Sequence, residues 1–500
     1  MIEQSFIQGY VDRFRDKHTI TVATGVTCSY LGDERNLREY LVADEVVKAL
    51  RAHGHVVHYF CFDDDLDPLS FRQLRVAVLK DPDLVTKYEP FCGKPACDIR
   101  SPFDPNSTWS EYFEGKFKDR LSALDCHPNV VSVSRMYERG LYAPYIKQVL
   151  VHQDRIREYL SQNFPAYQPE KLFWAICPTC GYIDGTQILD VNTSSVEIAC
   201  QRCLCQTSVA FEDLRGKLNW KLDCAARWAM FKVDAEPFSK AYLEPNAGSF
   251  FVARGLSKTF FGGSDVTPIQ YGSVSMSTSL SYKLLESLPS NVFRNLMVRH
   301  PRTDLDITEE RILTEANKVE VLPGLSFANL VKQLLPAWIL DSKDLTAEQR
   351  ELMMKGMAFA RSFERKDIKP YLPNRIHLEG VPVDILRQIQ SVIQQVILHR
   401  KAFGMNYDSF VGPAKAAIER LGDQRREVTT HFRKIIGQEA GVPNSRYLFL
   451  LPISYLMNLE SLIDLYLESK APSHAVIQIP DRATPPPLRV IPGERLATNA

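Results

Sequence analysis

The sequence predicts an α/β protein built on a Rossmann-type parallel sheet, carrying a cysteine-rich insertion and followed by an all-helical C-terminal region. Three observations point to this. Residues 19–62 read strand, loop, helix, strand, a βαβ unit that requires a parallel sheet. Two Cys-x-x-Cys pairs, Cys177/Cys180 and Cys200/Cys203, interrupt the α/β rhythm. From about residue 325 the apolar spacing becomes helical, with Ile385, Ile389, Val392 and Val396 on one face.

The elements follow in order. Thr19–Thr24 is a β-prone run that ends at Gly25. After a loop, Val42, Val46, Ala49 and Leu50 mark one face of a helix, and Gly54 stops it. His55–Phe62 is the second strand, running into Asp63-Asp64-Asp65-Leu66-Asp67-Pro68. Ligands bind at the C-terminal ends of such strands, so the Gly25–Asn36 loop and the Asp63–Asp67 run should border one pocket. The expected organisation is a catalytic domain in two halves, 1–70 and 216–285, separated by an inserted domain over 71–215. A connecting segment over 286–330, a helical domain over 331–480 and a loose tail over 481–500 follow. The tail contains Pro485-Pro486-Pro487.

At 500 residues the chain is too long for one core. Lys plus Arg and Asp plus Glu both number 60, so no global charge draws it to nucleic acid, and a polyanion would need a local basic patch. No N-terminal segment reads as a secretory signal. The most apolar long stretch, Tyr447–Leu467, contains Pro452, Asn458, Glu460 and Asp464 and suits a buried helix better than a membrane span. An odd count of 11 cysteines, five of them between Cys177 and Cys205, fits a reducing cytoplasm and a metal site better than a disulfide framework.

Each Cys-x-x-Cys pair can set two thiolates on one tight knuckle, and two knuckles make the tetrahedral sulfur cage of structural zinc. The metal ligands expected are Cys177, Cys180, Cys200 and Cys203; Cys205 is an alternative to Cys203, and redox cysteines are the competing reading. Four protein ligands leave no open position, so such a zinc holds structure and does not activate water.

Residues 24–41 read Thr-Gly-Val-Thr-Cys-Ser-Tyr-Leu-Gly-Asp-Glu-Arg-Asn-Leu-Arg-Glu-Tyr-Leu. This resembles the nucleotide-binding turn of the class I lysyl-tRNA synthetases, which carry Thr-Gly-Ile-Thr-Pro-Ser-Gly, then His-Ile-Gly-Asn, then Leu-Arg-Glu. The resemblance continues in order through Phe62–Pro68, Gly93-Lys94-Pro95, Tyr112-Phe113, Met136–Tyr142 and Asp154–Leu160. Beyond the cysteine pairs it takes in Lys217–Trp228, Glu236-Pro237-Phe238, Gly248-Ser249 and Leu325–Leu330. It implies a HUP-like catalytic domain with a zinc-ribbon insertion, then a helical domain of the anticodon-binding kind.

Three departures from that family matter. The His-Ile-Gly-Asn element falls on Asp33, Glu34, Arg35 and Asn36, so carboxylates stand where phosphates lie, with Arg35 a partial compensation. The stretch Ser273–Ser281, with Ser275, Met276, Ser277 and Leu280, takes the place of Lys-Met-Ser-Ser-Ser-Lys and has lost both lysines. Ser239-Lys240-Ala241-Tyr242 replaces Gly-Lys-Asp-His, removing polar partners for a lysine ammonium. The substrate pocket implied by the resemblance is Gly25, Thr27, Trp220, Phe238, Tyr242 and Tyr271.

Loss of both phosphate grips argues against ATP as a substrate. The reading expected is an aminoacyltransferase that moves an amino acid from aminoacyl-tRNA to a small amine, such as an antibiotic precursor, with Asp33, Glu34 or Asp64 taking the proton or binding a cationic acceptor. The partners are then aminoacyl-tRNA and the amine acceptor, with no membrane and no DNA. An ATP-dependent ligase or weakened synthetase is the alternative. A non-catalytic relative that binds tRNA or an amino acid is a third.

Overall fold

The computed structural model describes residues 2–276, 284–340, 342–362, 378–404, 407–436 and 444–469. The chain forms two compact units, Met1–Tyr282 with Arg294–Ile307, and Lys283–Phe293 with Thr308–Ala500.

The first unit is organised by a five-stranded sheet: β1 (Thr19–Val26), β2 (Val56–Asp63), β3 (Asn129–Ser132), β4 (Ala235–Ser239) and β5 (Thr267–Tyr271), in the order β5-β4-β1-β2-β3. Every pairing is parallel. β1 is central, and Ile20, Val22 and Ala23 are fully buried, as expected for a strand covered on both faces. Helix α1 (Gln4–Phe14) precedes it. Helix α2 (Leu37–Ala52) follows and buries Leu41, Val42, Val46, Val47 and Leu50. The turn into β2 uses Gly54 at φ +90°, which a side chain resists.

β1 pairs with β2 over eight positions, Thr19↔Val56 to Val26↔Asp63, but with β4 at the single position Val22↔Ala235. The two halves of the sheet therefore part beyond Val22. The strand order also reverses here, the point at which open α/β sheets bind ligands.

The sheet reaches into 71–215, a segment expected to lie apart from it. β3 comes from this stretch and pairs with β2 over Phe60–Asp63. Asn129-Val-Val-Ser is too short to show a period-2 pattern, which is why the sequence hides it. The stretch also holds helix α3 (Trp109–Ala123) and an antiparallel sheet of Thr186–Val191, Ser195–Cys200 and Gln206–Ala210. Phe173–Ala175 pairs with Gly216–Leu218 and closes the excursion. Helices α4 (Trp220–Phe231) and α5 (Ser249–Phe260) alternate with β4 and β5, completing the second half.

The second unit is mainly helical. Helix α6 (Val383–Phe403) buries Ile385, Ile389, Val392 and Val396, the face read from their spacing. Tyr447–Leu467 does not form one helix: Pro452 lies between a helix over Asn444–Leu450 and helix α7 (Ile453–Ser469). Leu456, Leu459 and Ile463 of α7 join the core containing α6. Glu460 accepts a hydrogen bond from Gln394 at 2.8 Å and Asp464 one from Gln390, so the carboxylates rim this core without entering it. No described helix is long and apolar enough to cross a membrane. The expected tail, 481–500, lies outside the described residues.

Candidate active-site cleft and cysteine cluster

A cleft of about 720 Å³ opens where β1 and β4 diverge. Gly25 and Thr27 follow from β1, Asp64 from β2, Phe238 from β4 and Tyr271 from β5, while Trp220 and Tyr242 stand at its rim. Trp220 lies edge-on to Tyr242, with ring centres 6.4 Å apart, and Tyr242 edge-on to Phe238 at 6.5 Å. Phe238 is backed by Trp228 and Phe250. The sequence-predicted substrate residues thus share one cavity, with a half-exposed aromatic wall at its rim.

Its charges are arranged in three ways. Asp33 is paired within its own turn. Oδ1 accepts from the Arg35 backbone N–H at 2.9 Å, and Oδ2 accepts from Arg35 Nε at 3.0 Å and Nη2 at 2.6 Å. Asp64 is held between Lys217 Nζ at 3.4 Å and Arg227 Nη1 at 3.3 Å. Lys217 also bonds Asp67, whose other oxygen accepts from Thr27 Oγ1 at 2.9 Å. Arg227 bonds Asp223 at 2.9 Å, and Asp223 accepts from the hydroxyls of Tyr137 and Tyr142. This network locks the Asp63–Asp67 run and Thr27 in place beneath the cleft.

Glu34 differs from the expectation. It is 1% exposed and is not part of the cleft wall. The turn Glu34–Asn36 leads directly into α2, and its winding sends Asp33, Arg35 and Asn36 to the cavity and Glu34 inward. An acceptor in the cleft therefore meets Asp33 but not Glu34.

The third arrangement was invisible in the sequence. Glu39 and Glu236 line the cleft and are hydrogen-bonded by neutral donors. Glu39 accepts from Thr24 Oγ1 at 2.5 Å and from the Tyr271 hydroxyl at 2.8 Å. Burial, opposed by these two bonds and reinforced by the charge of Glu236, pushes its carboxyl up to about 7. Glu236 accepts from Trp228 Nε1, and burial raises its carboxyl as well. Glu39 belongs to the Leu-Arg-Glu run already noted, but its enclosure depends on Tyr271, over 200 residues away.

Arg38, its neighbour in that run, is buried and donates to six carbonyls: Met297 (3.0 Å), Gly272 (2.7 Å), Ser273 (3.2 Å), His300 (2.8 Å), Pro301 (3.2 Å) and Thr303 (2.9 Å). It ties the Gly272-Ser273 turn and residues 297–303 to the start of α2. Arg38→Met is expected to lower stability by about 3–5 kcal/mol, because buried carbonyls lose charged donors. Urea unfolding checks this, and a change below about 1 kcal/mol would show that water replaces the guanidinium.

Beyond that turn, Val274–Met276 pairs in parallel with Leu305–Ile307, and Ser275 Oγ donates to Asp306 at 2.6 Å. Ser275 and Met276 are thus engaged in a small ribbon. Ser277 and Leu280 lie outside the described residues.

The cysteine cluster is built by two similar knuckles. Gly181 follows Cys180 at φ +76°, and Leu204 follows Cys203 at φ +59°. The Gly181 N–H donates to Cys177 O at 2.9 Å, and the Cys200 N–H to Cys205 O at 2.9 Å. The sulfurs of Cys177, Cys180, Cys200 and Cys203 all lie within 4.8 Å of one another, with Cys177–Cys203 and Cys180–Cys200 at 3.6 Å. Four thiolates at Zn–S about 2.3 Å on a tetrahedron would be about 3.8 Å apart, so this set fits such a metal. Cys205 touches Cys177 at 3.4 Å. The matching left-handed residue after Cys180 and after Cys203 favours Cys203 as the knuckle cysteine. Burial raises the Cys177 thiol, but the N–H groups of Cys180 and Thr179 and the neighbouring thiols outweigh it and bring the group below its ordinary value.

Residues 5–317 match the family model described as tRNA synthetases class I (K). The chain belongs to this class I synthetase family. Its lysine-type relatives include a lysine–tRNA ligase of Methanosarcina barkeri, 29% identical over an alignment of 300 positions that covers 56% of this chain and 52% of that one. A lysine–tRNA ligase of Thermoplasma acidophilum is 24% identical over 400 residues, 75% of this chain and 71% of that one. The chain spans about half the length of the first of these relatives. Among solved structures, the glutamate-tRNA synthetase of Elizabethkingia anophelis covers 89% of this chain and 99% of that one at 9% identity, with a TM-score of 0.37, too loose an overlay to add to the assignment.

Proposed function

We propose that this synthetase-like chain is an aminoacyltransferase, which takes an amino acid from the 3′-terminal adenosine ester of aminoacyl-tRNA and passes it to the amine of a small molecule, without forming an adenylate. The observation that carries the reading is Glu39. A carboxyl titrating at about 7, facing a cavity rimmed by aromatic side chains, is suited to accept a proton from an attacking amine at neutral pH. The amine nitrogen bonds to the ester carbonyl carbon, Glu39 takes the nitrogen's proton, and the carbon–oxygen bond to the adenosine breaks. The proton then passes to the departing hydroxyl. The ester is already activated, so the exchange to an amide runs downhill and uses no phosphate. Trp220, Phe238 and Tyr242 hold the acyl side chain. The second, helical unit is proposed to face tRNA, and the four cysteines to hold one structural zinc.

The test is a reaction of charged tRNA pools with candidate amines, with and without ribonuclease. Product that forms equally well from free amino acid and ATP after tRNA destruction would overturn the donor assignment.

The names of the relatives favour a second reading, a weakened lysine–tRNA ligase. Pyrophosphate exchange separates the two. Each lost charge contact in such a transition state costs about 10²–10³ in rate, so lysine-dependent exchange is expected near background. Robust exchange would establish the ligase reading in place of transfer.

A further inference from the structure

The cysteine cluster gathers five thiols, and four are enough to complete a tetrahedral metal shell. The fifth, Cys205, stands against that shell. Its sulfur lies 3.4 Å from that of Cys177, closer than the 3.6 Å separations of Cys177–Cys203 and Cys180–Cys200. The two thiols differ in access: Cys205 is partly exposed, whereas Cys177 is 1% exposed. Both backbones are pinned. The Cys200 N–H donates to Cys205 O at 2.9 Å, and the Cys177 N–H donates to Tyr182 O at 2.9 Å. A disulfide S–S bond is about 2.05 Å long, so joining these sulfurs takes a movement of about 1.4 Å, within reach of side-chain rotation alone.

We infer that Cys205 is a thiol-oxidation site, where a hydroperoxide joins it to Cys177 in a reversible disulfide that loosens the metal shell. Cys205 is the accessible member and meets the oxidant first. Its sulfur bonds to one peroxide oxygen, the O–O bond breaks, and the second oxygen leaves with the thiol proton as water or an alcohol. The sulfur is now a sulfenic acid, oxidised by two electrons. The Cys177 thiolate attacks it: the S–S bond forms, the S–O bond breaks, and the departing hydroxide takes a proton from solvent to become water. In sum two thiols give up two electrons and the hydroperoxide accepts them. A disulfide sulfur carries no charge to offer a metal, so the four ligand cysteines then supply three thiolates and hold zinc less tightly. The inference rests on the zinc reading for its metal readout only. The bridge can form and be mapped without the metal.

A sulfur that merely fills space beside the cluster makes a different forecast: no bridge, and no change in metal release when it is removed. The experiment treats the full chain, its metal content measured first, with hydrogen peroxide. Zinc release is followed with a chromogenic chelator. Remaining thiols are then blocked, and the linked peptides are located by fragment mass spectra without reduction. The Cys177–Cys205 link is expected to appear before any other, in step with zinc release, and a dithiol reductant with added zinc should reverse both. Cys205→Ser should keep its metal and release it under peroxide on the order of tenfold or more slowly than the unaltered chain. Cys92→Ser, which removes a partly exposed thiol outside the cluster, should release zinc at the unaltered rate. A first link between Cys177 and Cys203 or between Cys180 and Cys200 would overturn the inference. So would equal release rates with and without Cys205, an equal slowing in Cys92→Ser, or loss of metal from untreated Cys205→Ser, which would make Cys205 a ligand. A purified chain without metal would sink the zinc reading, and the peptide map alone would then decide for or against the bridge.

Discussion

Glu39→Gln is expected to slow acyl transfer by about 10²–10⁴ while making the folded chain more stable above pH 7. The two effects have one cause. Burial lifts the Glu39 carboxyl from 4.5 to about 7 in the folded protein. Between those values the folded chain holds a proton that the unfolded chain has released, so stability falls as pH rises through this window. Above about pH 7 the ionised carboxylate is enclosed and the loss is complete. Gln carries no charge, so the variant escapes the loss. Its advantage should grow from pH 4.5 and level off above 7, at about 1–3 kcal/mol. Some of that is offset where Gln is a poorer acceptor for Thr24 and Tyr271. The transfer rate of the unaltered chain should rise through pH 7 as Glu39 ionises, and the variant should lose that step. Denaturant titrations at pH 5 and 8, with rates over the same range, check both halves. Full transfer activity in Glu39→Gln would remove Glu39 from the mechanism and leave the proton to another group.

Removal of one cluster thiolate is expected to have the largest effect on folding. Purified protein should contain about one zinc per chain. Structural zinc contributes about 10–16 kcal/mol of apparent binding energy in small zinc-dependent folds. Between Phe173 and Leu218 the three-stranded sheet is short and partly exposed, and its inner residues Val196 and Ile198 pack into the neighbouring core. Cys180→Ser should release the metal and open this region to protease, while Cys205→Ser should leave metal content near one. Stoichiometric absence of metal in freshly purified protein would refute the site. Loss of zinc in Cys205→Ser with retention in Cys203→Ser would move the fourth ligand to Cys205.

Proteolysis of Cys180→Ser should also test a connection through the fold. Gly216–Leu218 pairs with Phe173–Ala175, and Lys217 reaches Asp64 and Asp67 under the cleft. Disorder in the ribbon therefore has a short path to Thr27.

Much of this protein could be read from the chain alone. The βαβ unit was legible because strand and helix periodicities differ and Gly54 separates them. The helical face of α6 was legible for the same reason, and the cysteine knuckles because thiolate spacing is local. The family itself was legible from short motifs in order. Local signals ended where β3 begins, since four residues carry no period, and at Pro452, where one apolar run divides into two helices. The carboxylates of the cleft separate the two levels most clearly. The sequence alone put Asp33, Glu34 and Asp64 near a pocket, because position along strands and turns is local information. Only the tertiary structure gave each its state. Asp33 is paired with a guanidinium two residues on, Glu34 is turned inward by the winding of one helical turn, and Asp64 is clamped by Lys217 and Arg227, more than 150 residues further along the chain. Glu39 has its raised carboxyl because burial strips its water, against the bonds from Thr24 and Tyr271, with the charge of Glu236 adding to the rise. A charge's behaviour depends on the water it loses and the partners it gains, and in this fold those partners arrive from strands and helices far along the chain.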